Sequence, residues 1–176
     1  MLRLLNPDQV VSSLFDIDLD ALAWRGIRGL IFDLDNTIVE RGAPAFTPEV
    51  LDWLESARRR GFEIAIVSNN RTRRAVAMAR EHGIPAVFRA AKPRRRPFRK
   101  ALRFLGLAPH EAAVVGDQLF TDVFGGNRLG MYTILTRPLP GPEFIGTRLI
   151  TRKLEKLFLP RIWRRHGFVS GEQGHA

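Results

Sequence analysis

The chain reads as an α/β fold: one three-layer, Rossmann-like domain in which a parallel sheet is covered by helices on both faces. Two observations predict it. Short apolar runs rich in Val and Ile alternate with segments whose apolar residues recur at helical spacing. Polar residues follow the ends of those runs rather than interrupting them, which places a ligand crevice at the C-terminal strand ends.

From the N-terminus, Asn6 and Pro7 suit an N-cap and a first helical residue, predicting a short helix through Val10, Val11, Leu14 and Phe15. Ile17, Leu19, Leu22 and Trp24 then carry the chain into the first predicted strand. That strand, Leu30-Ile31-Phe32, is apolar throughout and runs into Asp33-Leu34-Asp35-Asn36-Thr37. Ile38 to Thr47 shows no strong periodicity. Thr47-Pro48-Glu49 opens a helix whose apolar residues Val50, Leu51, Leu54 and Ala57 repeat until Gly61 stops it. Phe62 to Val67 is the second strand and ends at Ser68-Asn69-Asn70. A helix from Arg73 to His82 leads to the short third strand, Ala86-Val87-Phe88, and on to Lys92. Pro97 opens the next helix, Ala112 to Val115 is the fourth strand and ends in Gly116-Asp117, a short helix runs to Gly125-Gly126, and Met131 to Leu135 is the fifth strand. The reading divides the chain into an N-terminal arm (1–27), a catalytic core (28–138) and a basic tail (139–176).

Composition narrows the class. Of 176 residues 45% are hydrophobic and 26% charged, which fits a folded domain and excludes a disordered chain. There is no cysteine, so disulfide scaffolds and thiolate metal sites are excluded. Asn6-Pro7 cuts short the first apolar run, and no other run reaches membrane-spanning length, which predicts a soluble cytoplasmic protein. The net charge of +10 implies attraction to something anionic: nucleic acid, lipid headgroups or a phosphorylated substrate.

The chemistry concentrates at the predicted strand ends. Asp33 and Asp35, two positions apart in extended chain, project from one face, a pair able to hold a hard cation while one attacks phosphorus and the other carries a proton. Ser68, Lys92 and Asp117 converge on the same rim. This set resembles the four motifs of the haloacid dehalogenase-like (HAD) superfamily of phosphatases: Asp33-Leu34-Asp35-Asn36-Thr37, then Ser68, then Lys92, then Gly116-Asp117-Gln118-Leu119-Phe120-Thr121-Asp122, in order over about 90 residues.

The resemblance implies roles. Asp33 would be the nucleophile and Asp35 the acid/base; Mg2+ would sit between the Asp33 carboxylate, the Asp35 backbone carbonyl and Asp117; Ser68 and Lys92, with backbone N–H groups near Leu34 and Asn69, would hold the phosphoryl oxygens. Asp122 would support the site, either on metal-bound water or by orienting the lysine. The intervals Ile38 to Thr47 and Ser68 to Lys92 are too short for a cap domain, so an open site is expected.

The N-terminal arm, Asn36 and Gln118 are further similar to the capless subfamily IIIA phosphatases related to phosphatidylglycerophosphate phosphatase. Phosphatidylglycerophosphate is thus the expected substrate, phosphatidylglycerol the product and the inner face of the membrane a peripheral location. The alternatives are a phosphatase of nucleotides or nucleic-acid ends, or a non-catalytic RNA- or membrane-binding protein. From Glu143 to Trp163, apolar residues at helical spacing alternate with Arg148, Arg152, Lys153 and Lys156, the pattern of a helix that lies on an anionic bilayer or packs on the sheet with a solvated basic face. Arg71, Arg73 and Arg74, and Arg94, Arg95, Arg96, Arg99 and Lys100, either fringe the site or form solvated surface. Trp24, Trp53 and Trp163 are assigned to packing.

Overall fold

The computed structural model describes residues 2–139 and Ile162, and the compact unit to which 2–139 belong runs Met1–Pro142. The basic helix expected between Glu143 and Trp163 lies outside the described residues, apart from Ile162.

Six strands form one parallel sheet: β1 (Gln9–Val11), β2 (Gly29–Phe32), β3 (Glu63–Val67), β4 (Ala86–Val87), β5 (Ala112–Gly116) and β6 (Tyr132–Thr136), in the order β1-β6-β5-β2-β3-β4. Around them run α1 (Leu19–Trp24), α2 (Pro48–Arg59), α3 (Arg73–Glu81), α4 (Arg95–Leu105) and the short α5 (Phe124–Asn127). The chain moves outward from β2 to β3 and β4, then returns to the other side of β2 for β5 and β6. The sheet order therefore reverses between β2 and β5, where α/β folds place their ligands.

Strand alternation divides the core. Leu30, Phe32, Ile64, Ile66, Ala113, Val115 and Ile134 pack in one layer with Leu22, Val50, Leu54, Ala75 and Met78, while Ile31, Ala65, Val67, Ala112 and Val114 pack in the other with Phe98, Ala101 and Leu102. Near-continuous apolar strands follow, because both faces are covered. Phe98 is fully buried, and such a side chain contributes about 1.5–3 kcal/mol by leaving water. It packs so closely on α5 that a Cβ on Gly125 would lie 2.5 Å from its ring.

The N-terminal segment departs from expectation. In place of a helix through Val10 and Phe15 there is strand β1, between two single 3-10 turns, Leu2–Leu5 and Leu14–Asp16. Asp8 decides this: its backbone N–H bonds the Thr133 carbonyl at 3.0 Å, and its carboxylate accepts from the Thr133 N–H at 2.8 Å and hydroxyl at 3.0 Å. Tertiary pairing with β6 thus outweighs a four-residue apolar spacing that fits either structure. The stretch leading to β2 is also helical: Asp18 caps α1 by accepting from the Ala21 N–H, and Leu19 and Leu22 are buried. Trp24, assigned to packing, is instead 93% exposed at the end of α1. Trp53 does pack, edge-on against Phe32 with ring centroids 6.0 Å apart. Helix α4 begins at Arg95, two residues before Pro97.

Candidate active site

Asp33 continues β2 by one residue, its N–H bonding the Val115 carbonyl at 2.9 Å, so its carboxylate emerges at the C-terminal edge beside β5. Asn36 then turns the chain with a φ of 63°, a left-handed conformation that Asn tolerates better than most residues, and its N–H bonds the Val39 carbonyl at 2.8 Å. This tight turn keeps Asp33 and Asp35 on one rim, both buried.

Lys92 lies between two carboxylates. Its Nζ is 2.8 Å from Asp33 Oδ1 and 2.7 Å from Asp122 Oδ1, with all three side chains nearly inaccessible to water. Asp33 Oδ1 also accepts from the Leu34 N–H at 2.8 Å, and Asp122 Oδ2 from the Gln118 N–H at 3.2 Å. Asp122 reaches this position because residue 116 is glycine: a Cβ there would come within 2.4 Å of the Asp122 carboxyl. The turn that carries Asp122 is of π type, Leu119–Val123, and runs directly into α5.

Asp35 faces other partners. Its Oδ2 accepts from Asn70 Nδ2 at 3.0 Å, Arg74 Nη2 stands 3.7 Å from Oδ1, and Oδ1 is buried with no hydrogen bond among the described residues. Ser68 follows β3 directly, and its hydroxyl oxygen accepts from the Asn70 N–H at 3.1 Å, leaving the hydroxyl hydrogen to be donated elsewhere. Asn69 Oδ1 accepts from the Lys92 N–H at 2.7 Å and so ties the loop after β3 to the loop that carries the lysine. The structure therefore brings Asp33, Lys92, Asp117 and Asp122 together, with Asp35, Ser68 and Asn69 on the two adjoining loops. Of the two partners of Asp35, Arg74 is among the cations expected either to fringe the site or to form solvated surface, and Asn70 is a site residue that the sequence reading does not assign. The available signal for Asn70 was its place in the loop two residues after Ser68.

The electrostatics follow from two buried carboxylates sharing one ammonium. Burial works against the Lys92 charge, but Asp122 and Asp33 outweigh it and hold its pKa well above the ordinary 10.5. Burial pushes the Asp122 carboxyl up to about 6 against the pull of Lys92, and the negative Asp33 adds to the rise. One cation cannot compensate two anions out of water: the ammonium is stabilised and the second carboxylate is not.

Asp33, Asp117 and Asp122 each offer a carboxylate oxygen, all within 4.8 Å of one another. The set is made of hard oxygen donors and holds more negative charge than Lys92 neutralises, so the residues fit a hard divalent cation. The Asp35 carboxylate is outside this set, turned toward Asn70 and Arg74.

A model of the haloacid dehalogenase-like hydrolases matches residues 45–130, which include Ser68, Lys92, Asp117 and Asp122. Probable phosphatase YqeG of Bacillus subtilis is 38% identical over 95% of this chain and 96% of its own. Phosphatidylglycerophosphate phosphatase 1, chloroplastic/mitochondrial, of Arabidopsis thaliana is 32% identical over 92% of this chain and 49% of its own, so the chain spans about half of that protein. The cobalt-bound deoxy-D-mannose-octulosonate 8-phosphate phosphatase of Haemophilus influenzae has the same fold, with a TM-score of 0.50 at 12% identity over 81% of this chain and 91% of that one. On the strength of a bacterial relative matched over almost its whole length, and of a strand-end rim bearing the motif residues, the chain belongs to the haloacid dehalogenase-like hydrolases and is a phosphatase of that family.

Proposed function

We propose that this phosphatase removes the terminal phosphate of phosphatidylglycerophosphate to give phosphatidylglycerol, with magnesium and through a phosphorylated Asp33. The observation that carries the substrate is the likeness to the Arabidopsis enzyme of that name along nearly all of this chain. The openness of the rim agrees with it. Between Thr37 and α2 there is only a short loop, and between Ser68 and Lys92 only α3 and β4, so no covering module stands over the site among the described residues. A rim with no covering module among the described residues suits a phosphate held at a surface.

In the reaction, the Asp33 carboxylate attacks phosphorus while the P–O bond to the glycerol oxygen breaks, and Asp35 gives that oxygen its proton. The buried Asp35 Oδ1, which has no hydrogen bond among the described residues, is the atom available to carry it. In the second half, Asp35 takes a proton from water as the water oxygen displaces Asp33 from phosphorus; inorganic phosphate leaves and both residues are restored. The Ser68 hydroxyl and Lys92 bind phosphoryl oxygens, and Asp122 holds Lys92 in place. Asp33, Asp117 and the Asp35 backbone carbonyl would hold Mg2+, whose charge lets an anionic carboxylate approach an anionic phosphate.

The test is phosphate release from phosphatidylglycerophosphate in mixed micelles, compared with a 5′-phosphorylated oligonucleotide and a small soluble phosphomonoester, with Asp33→Asn and a chelator as controls. Lipid turnover well above the other two, lost in both controls, is expected. Preferred turnover of the oligonucleotide would overturn the substrate and leave the mechanism.

A further inference from the structure

The face around the β4 edge is built in a way that the catalytic reading does not use. On α3, Arg73, Val76, Ala77 and Arg80 form one helical stripe; on α4, Arg96, Arg99, Lys100 and Arg103 form another. The two helices cover opposite faces of the sheet, and the grooves beneath the stripes share Arg89, held at a φ of 48° in the loop after β4. Arg71 extends the α3 groove toward the Ser68 loop, and the Arg89 N–H bonds the Asn70 carbonyl at 3.4 Å, so this face adjoins the catalytic rim.

Three features weigh against a purely structural role for this set of cations. Helix α4 starts on arginines, has no acidic residue in its first turn and no side-chain cap, so Arg95 and Arg96 sit at the end where the helix dipole opposes them. Arg96 and Lys100, like Arg99 and Arg103, are like charges four residues apart, an arrangement that weakens a helix. Among the described residues no ion pair joins any of the stripe cations to a carboxylate, although Glu81 lies in the α3 groove. Apolar side chains are set among them: Phe104 on α4 is 47% exposed with Lys100 Nζ 5.5 Å from its ring centre, and Val76 on α3 is 38% exposed.

We propose that this face, α3, the β4 edge and α4, seats the enzyme on an anionic phospholipid bilayer and brings the adjoining rim to the lipid surface. Its choice of partner rests on the lipid reading above. A bilayer fits better than nucleic acid because the cations cover two helices on opposite faces of the sheet instead of following one groove, and because the exposed apolar side chains among them are an aliphatic residue, Val76, and a single aromatic, Phe104, not the row of aromatic platforms on which successive bases stack.

The test uses the full chain and vesicles that contain no phosphatidylglycerophosphate: phosphatidylcholine alone, or phosphatidylcholine with phosphatidylglycerol. Expected is salt-sensitive sedimentation with the anionic vesicles only. The triple variant Arg96→Glu/Arg99→Glu/Arg103→Glu should lower partitioning at least about tenfold, since each cation near such a surface adds to the attraction. Its hydrolysis of a small soluble phosphomonoester should be unchanged, which also shows that it folds; Arg73→Glu/Arg80→Glu on α3 is a second, independent variant. Partitioning within twofold of the parent in both variants, equal binding to neutral vesicles, or tighter binding to an oligonucleotide than to anionic vesicles would overturn the proposal. Turnover of micellar phosphatidylglycerophosphate without vesicle binding would remove the docking face and keep the substrate; vesicle binding without that turnover would do the reverse.

Discussion

The buried Asp33–Lys92–Asp122 trio and the exposed cations of α4 are two answers to the same problem of holding charge in a protein. In the trio every charge is paired within 2.8 Å and shielded from water. On α4 the charges have no carboxylate partner among the described residues and are crowded and turned to solvent. Removing a partner from the first leaves a charge stranded in a low-dielectric interior, whereas removing a charge from the second relieves repulsion. Stability and function are therefore coupled in the trio and opposed on α4.

Asp33→Asn gives the largest effect on activity. The proposed nucleophile is lost while the shape is kept, and turnover of any phosphomonoester should fall roughly ten-thousandfold or more, as when other catalytic nucleophiles are removed. Phosphate release in single-turnover assays checks this; a loss below a hundredfold would place the nucleophile elsewhere. Lys92→Met breaks the trio from its centre. Two buried carboxylates would then face each other without the ammonium, and the unfolding free energy should fall by about 3–5 kcal/mol in urea titrations, with turnover abolished. A drop under 1 kcal/mol would show that water reaches the trio freely.

Asp122→Asn is milder because the amide can still accept from Lys92. Activity should fall roughly 10–100-fold, the usual range for a residue that holds another in place. The effect on stability should depend on pH. The folded protein holds the Asp122 proton more tightly than the unfolded chain, with a pKa of about 6 against 3.8. A raised carboxyl pKa means that the favourable contribution is present below the unfolded value and lost as pH rises through the folded one. In the metal-free protein, the stability of the parent relative to Asp122→Asn should therefore increase as pH is lowered from about 6 toward 3.8. A difference that does not change across that window would show that Lys92 compensates Asp122 completely.

The two regions were also unequally legible in the sequence. The strand-end residues could be read because their chemistry is local: Asp33 and Asp35 follow an unbroken apolar strand, Ser68 ends another, and Gly116-Asp117 ends a third. The partners that hold them could not. Asn70 reaching back to Asp35, and Asn69 tying down the Lys92 N–H, are contacts between loops whose juxtaposition only the sheet order creates. The same reason explains β1: Val10-Val11 fits a helix or a strand, and the choice was made by Asp8 bonding Thr133, a residue 125 positions away. Trp24 shows the opposite limit, since an aromatic residue at helical spacing can point outward where a six-residue helix ends. The stripes on α3 and α4 were visible as basic runs, but that they flank one sheet edge and share Arg89 depends on the fold.

One substitution on α4 should improve the fold. Arg96→Glu places a negative charge in the first turn of α4, where the helix dipole favours it, replaces a repulsive pair with an attractive one to Lys100, and disturbs no buried contact. Stability should rise by about 0.5–1 kcal/mol, seen as a higher urea midpoint with an unchanged slope. Hydrolysis of a small soluble ester should not change, and partitioning onto anionic vesicles should weaken. A natural residue that costs stability at an exposed helix start, and whose replacement costs only surface binding, is one retained for its partner. If stability falls instead, the Arg96 side chain is packing along α4, and its charge is incidental.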